Sequence, residues 1–182
     1  MCNAQQVLLN AKVFNQRALN ILINSDDTDT IQLRSGLREL DSAIYLDPSY
    51  FVAYSNKVNF LIKLNRRQEA VSVLIFLINK KYNIAESLMT EGFLYEHLND
   101  NSQAIEHYKL AAKDYNDRLS KDSSIISNQL NLVFCELMID NNKQNALTKI
   151  TLLENRFPQN KSVSDMRELI DSFNRQDYIN QF

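Results

Sequence analysis

The side chains able to do chemistry are few and scattered. His97 and His107 lie ten residues apart, and neither has the three convergent Cys, His or carboxylate ligands that a zinc site needs. Glu96 and Glu106 precede them directly, but adjacent residues on a helix point in different directions. Cys135 stands between Phe134 and Leu137 in an apolar stretch, the setting of an inert buried thiol. Asp26, Asp27 and Asp29 cluster in Asn24–Thr30, yet the segment lacks the Gly and the terminal Glu of a calcium loop and reads as a solvated insertion. With Gly36 and Gly92 the only glycines, no Gly-rich phosphate loop can form. These residues predict no cofactor, no metal and no enzyme. His97 is expected to line a groove and His107 to be solvated.

The elements that would position them are helices. Two Gly and two Pro in 182 residues leave too little turn chemistry for a sandwich or barrel. Net charge is −2 with the signs interspersed, so there is no basic face for nucleic acid. No apolar run reaches the ~18–20 residues of a membrane span, the longest being Val71 to Ile78. The start Met1-Cys2-Asn3 resembles the mature end of a bacterial lipoprotein. Two settings stay open on that basis: a cytoplasmic chain as written, or a periplasm-facing protein anchored to the membrane by lipid on Cys2.

A repeat underlies the pattern. Ala70 and Ala104 occupy equivalent places 34 residues apart, Ala146 follows after one period plus eight, and one period before Ala70 stands Gly36. From Tyr50 to Leu64, Phe51, Tyr54, Val58, Leu61 and Ile62 recur at helical spacing, and Ala70, Val71, Leu74, Leu77 and Ile78 do so in the next segment. Asp47-Pro48 is expected to open the first of these helices. The spacing predicts helix pairs at about 4–23 with 31–46, 49–64 with 67–80, 84–98 with 101–119 and 124–140 with 143–156. A last helix at about 161–179 caps them. The small residues mark points where paired helices approach closely, with Gly92 in the same role beside Phe93 and Tyr95. The eight extra residues after Ala111 continue the helical spacing and predict a helix protruding by about two turns. The apolar end Tyr178-Ile179-Asn180-Gln181-Phe182 is expected to dock on helix eight or in a neighbouring molecule's groove.

On these residues the chain resembles the tetratricopeptide repeat family. In the unit starting at Ala85, Leu88, Gly92, Tyr95, Ala104, Tyr108 and Ala111 fit the family pattern, and only Glu91 departs. The unit from Phe51 matches at Tyr54, Leu61 and Ala70, with Lys57 and Val58 departing. That from Ser127 matches at Leu130, Leu137, Ala146 and Pro158. The resemblance covers about 150 residues. It implies an all-α, right-handed α-solenoid of about four helix-turn-helix repeats, at about 4–48, 49–82, 83–122 and 123–158, with a capping helix at 161–179, in a single domain. It also implies a non-enzymatic scaffold binding a peptide segment or partner helix in a concave groove, as a monomer or weak homodimer. The groove positions carried over are Asn15, Gln16 and Leu19, then Ser55, Asn56, Asn59 and Lys63, then Met89, Thr90, Phe93, Glu96 and His97. Asn131, Cys135 and Met138 complete them. A family variant that clamps a terminal carboxylate is not expected, because Glu86 and Thr90 stand where Lys and Arg belong. The alternative function is an envelope assembly subunit or an immunity protein anchored through Cys2.

Overall fold

A computed structural model describes residues 4–24, 26 and 29–182, and the described chain is all helical. Cys2, the expected lipid attachment point, lies outside the described residues, as does Asp27. Contacts divide the chain into two compact units, one ending at Asn83 and the other running Ile84–Phe182. The first holds α1 (Ala4–Asn24), α2 (Thr30–Leu46), α3 (Phe51–Lys63) and α4 (Arg67–Asn79). The second holds α5 (Ile84–His97), α6 (Asn101–Lys121), α7 (Ile126–Asp140), α8 (Lys143–Arg156), α9 (Lys161–Ser172) and α10 (Arg175–Ile179).

Packing within the first unit is between chain neighbours, α1 on α2, α2 on α3 and α3 on α4, with α1 also touching α3. The same holds in the second unit from α5 through α9, with α9 also touching α7 and α10 returning to α5. Ala70, Ala104 and Ala146 are all buried. Both glycines sit where a ring presses on the helix. An added Cβ would lie 2.2 Å from Phe60 Cε1 at Gly36 and 2.3 Å from Tyr108 Cε1 at Gly92, far inside contact distance.

Helix ends are set by Asn and Asp in place of the missing glycines. Asn65, Lys81 and Asn99 adopt φ of 58°, 57° and 63° and close α3, α4 and α5 in the same way. In each, the following amide returns to a carbonyl five residues back, as Arg66 does to Leu61 at 2.8 Å and Asp100 to Tyr95 at 2.8 Å. Side chains of Asp29, Asp100, Asn142, Asn160 and Asn174 accept from the first-turn amides of α2, α6, α8, α9 and α10. Asp29 is therefore a capping residue.

Three local expectations need correction. Asp47-Pro48 ends α2 and does not open α3: the Asp47 carboxylate accepts from the Ser49 amide and hydroxyl at 2.9 and 2.6 Å, the turn that Asp122 and Ser124 repeat after α6. The helix expected over 161–179 breaks at Phe173-Asn174, where extended backbone lets Asn174 cap α10 and brings Phe173 and Tyr178 against Phe134 and against each other. Finally, α6 runs to Lys121 but does not protrude freely. Ala112 and Tyr115 are buried, Asn131 of α7 donates to the Tyr115 hydroxyl at 3.2 Å, and Arg118 grips Glu86 of α5 at 2.8 and 3.1 Å. The added segment is packed against α5 and α7 through Ala112, Tyr115 and Arg118.

Candidate functional site

In the first unit, α3 presents Asn59 and Lys63 to solvent, with Ser55 and Asn56 half-buried. Asn15 of α1 is buried, and its side-chain oxygen accepts from the Asn56 amide at 2.7 Å. The two therefore join α1 to α3, and a ligand reaching either would have to break that bond. Asn59 stays accessible because it lies one position past Val58, which faces the core.

In the second unit the expected lining residues are brought together but covered. Phe93 is only 6% exposed and Met89 7%, a correction to the open groove positions expected of them. Met89 Sδ lies 3.0 Å from Cys135 Sγ on α7, and burial, with Glu136 and Glu86 nearby, pushes that thiol up to about 12. Cys135 and Met138 are fully buried and offer nothing to a partner. The cover over Phe93 is the segment from Tyr178 to Phe182. Tyr178 packs edge-on to Phe93 and Phe134, with centroids 5.4 and 5.1 Å away, and the Phe182 ring centroid is 4.6 Å from that of Phe93. Ile179 is buried beneath. The segment thus docks on α5 and α7, and the expected docking on helix eight is corrected by these aromatic contacts.

Glu96 gains a role that its position alone did not reveal. Its carboxylate accepts two parallel bonds from Arg175, at 2.5 and 2.9 Å, and a third from the Tyr108 hydroxyl at 2.9 Å. Burial, then Glu96, hold that hydroxyl above the ordinary phenol value. Arg175 also donates to the Met138 carbonyl at 2.8 Å, in the last turn of α7. His97 is half-buried and lines, with Glu96, Ile105, Asp140 and Gln176, a cavity of about 560 Å³ beside α10. A second trough, of about 380 Å³, runs between α7 and α9 over Leu130, Asn131, Met166 and Leu169. Sequence reasoning missed Arg175. The signal available was its spacing of three and seven from Tyr178 and Phe182, which places all three toward one side of a helical turn and the residues after it.

His107 is likewise not solvated. Its Nε2 lies 3.4 Å from Glu91 Oε2, and its Nδ1 is 2.8 Å from the Gln103 carbonyl. Glu91, the position that departs from the repeat pattern, is 2% exposed, and its Oε1 has no hydrogen-bond partner. Desolvation raises this carboxyl's pKa, and any charge on His107 offsets part of the rise. This pair lies between α5 and α6, inside the core.

Among the described residues no three His, Cys, Asp or Glu side chains converge to hold a metal, and no helix is long and apolar enough to cross a membrane. The chain matches no protein-family model, and a search of curated proteins finds no match.

Proposed function

We propose that the protein is a non-enzymatic interaction module of tetratricopeptide type, whose helix pairs stack as solenoid repeats and bind a peptide segment or helix of a partner protein on the first helices of the pairs. One observation carries this reading. The α5 and α7 face holds a short helix, α10, through a bidentate ion pair and a cluster of rings, so its chemistry is that of a surface that seats a helical segment. Neighbour-to-neighbour packing within each unit and the two ring-filled glycine contacts fit stacked repeats. The exposed Asn59 and half-buried His97 and Asn131 add donors and acceptors for a peptide backbone.

Panning a random peptide library against the full chain tests the reading. Selected peptides should lose at least tenfold in affinity with Asn59→Ala or with His97→Ala, according to the unit that holds them, and less than twofold with Ser72→Ala and Lys109→Ala, which lie exposed on second helices. Failure to enrich any peptide, or a larger loss from the second-helix pair, would refute it.

A further inference from the structure

The geometry of the α5–α7 face points to a specific ligand chemistry and to its regulation. We propose that residues 174–182 are a tethered competitor in this site, and that the partner segment which displaces them presents a guanidinium followed by two aromatic rings, on the spacing of Arg175, Tyr178 and Phe182. The inference rests on the peptide-binding reading above and names the ligand and control of that site.

The site is built for a cation of one shape. Glu96 lies in the last turn of α5 and Met138 in the last turn of α7, so a carboxylate and a helix-terminal carbonyl converge where two helices place the negative ends of their dipoles. The Glu96 side chain is 11% exposed, and without Arg175 only the Tyr108 hydroxyl would remain on it. A buried carboxylate in that state is costly, so the tail leaves readily only when another guanidinium arrives. Guanidinium can bond both carboxylate oxygens while a third N–H reaches the Met138 carbonyl. A lysine ammonium, a compact point charge, cannot copy that fork. Beside it, Phe93 and Phe134 offer ring faces and edges to two aromatics, filled here by Tyr178 and Phe182.

The tail is also built to move as a unit. Only Phe173 and Asn174 separate α9 from α10, and α10 contacts α5, far from it in the chain, through the side chains just described. A short segment held by one bidentate ion pair, a hydrogen bond to the Met138 carbonyl and three apolar residues can exchange as a whole with a segment of like chemistry.

The test uses the full chain carrying Arg175→Ala and Tyr178→Ala to detach the tail. The probe is a fluorescein-labelled peptide with the sequence of residues 174–182, read by fluorescence anisotropy. The detached chain should bind this peptide at least tenfold more tightly than the unaltered chain does. Replacing the peptide's arginine by lysine, or adding Glu96→Gln to the detached chain, should each weaken binding at least tenfold. A detached chain with unchanged helicity that ignores the peptide would overturn the proposal and leave the tail a structural cap. So would equal binding to both chains. Library-selected peptides that bind the first-helix faces whether or not the tail is detached would overturn it while leaving the broader reading intact. If the detached chain does not fold, hydrogen exchange on the unaltered chain decides. Amides of residues 176–181 should exchange well before those of α5, and exchange only with global unfolding would refute a displaceable tail. Sedimentation of a dimer that dissociates on tail detachment would also refute it, by placing the segment on a second copy.

Discussion

Replacing Glu91 by Gln should stabilise the protein, and increasingly so as pH rises. The His107 Nδ1 lies 2.8 Å from a carbonyl, which can only accept, so Nδ1 carries a proton and the neutral ring turns a lone pair at Nε2 toward Glu91. A protonated Glu91 can donate to it. An ionised Glu91 beside a neutral ring sets two acceptors against each other at 3.4 Å, with Oε1 buried and unpartnered as well. The sign follows from the raised carboxyl. The folded state holds this proton more tightly than the unfolded chain, whose Glu releases it near pH ~4.3. From there, stability falls as pH rises until the folded-state value is passed, after which this contribution is lost in full. The side-chain amide introduced by Glu91→Gln offers an N–H to the lone pair of a neutral His107 and a carbonyl oxygen to the Nε2–H of a charged one. The buried-acceptor penalty sets the gain at about 1–2 kcal/mol at pH 8, or ~3–6 °C in Tm for a chain of this size. Little difference should remain near pH 4. Circular dichroism melts of both chains from pH 4 to 8 measure it. Parallel curves, or a wild-type chain more stable than Glu91→Gln at pH 8, would refute the reasoning by showing an ion pair that more than offsets its desolvation. Tyr95, whose hydroxyl is raised by burial and then by Glu91, should titrate at lower pH in the variant.

Further outcomes follow from particular contacts. Gly92→Ala drives a Cβ into the buried Tyr108 ring and should lower urea-unfolding stability by about 1–3 kcal/mol. Lys81→Gly relieves a left-handed backbone at the end of α4, with φ 57°, and should raise stability by ~1 kcal/mol by the same assay. Cys135, fully buried with its thiol pushed up to about 12, should stay unreactive to an aromatic disulfide reagent at pH 8 in a Cys2→Ser chain, and react fully in denaturant.

Most of the helical architecture was legible because it is written in local periodicity. The paired boundaries came within a few residues, since spacing of three and four between apolar residues locates a helix without knowledge of its neighbours. Asp47-Pro48 was misplaced for the converse reason: an Asp before Pro signals a cap, but the same carboxylate can close an Asx turn onto Ser49, and only the chain's direction decides. The eight additional residues of α6 read as a protrusion because Tyr115 and Arg118 find partners, Asn131 and Glu86, that lie 16 and 32 positions away. The site suffered most from such distances. Phe93, Met89 and Glu96 were identified as one face, but its occupant comes from 79 positions beyond Glu96, and no spacing rule links Arg175 to it. Glu91 was visible as a departure from the pattern, yet its pairing with His107 required the antiparallel register of α5 and α6.

Tethering fixes what a displacing partner must bring. A short flexible link gives the tail a local concentration on the order of mM, so a free segment of the same affinity supplied at ~1 µM is outcompeted by about a thousandfold. Overcoming that takes roughly 4 kcal/mol of extra binding, equivalent at ~25 cal/mol per Å² to ~160 Å² of apolar area. One large side chain supplies that much. The place for it adjoins the site: Leu130 lies one helical turn before Phe134 on α7 and opens into the trough shared with Met166 and Leu169. A peptide joining the Arg-Tyr-Phe pattern to one further Leu or Phe directed into that trough should displace the tail of the unaltered chain at micromolar concentration, while the nine-residue peptide does not. Met166→Asp should abolish the difference between the two peptides in a competition anisotropy assay. If both peptides displace the tail equally, the link is looser than a two-residue hinge permits and the local-concentration reasoning fails.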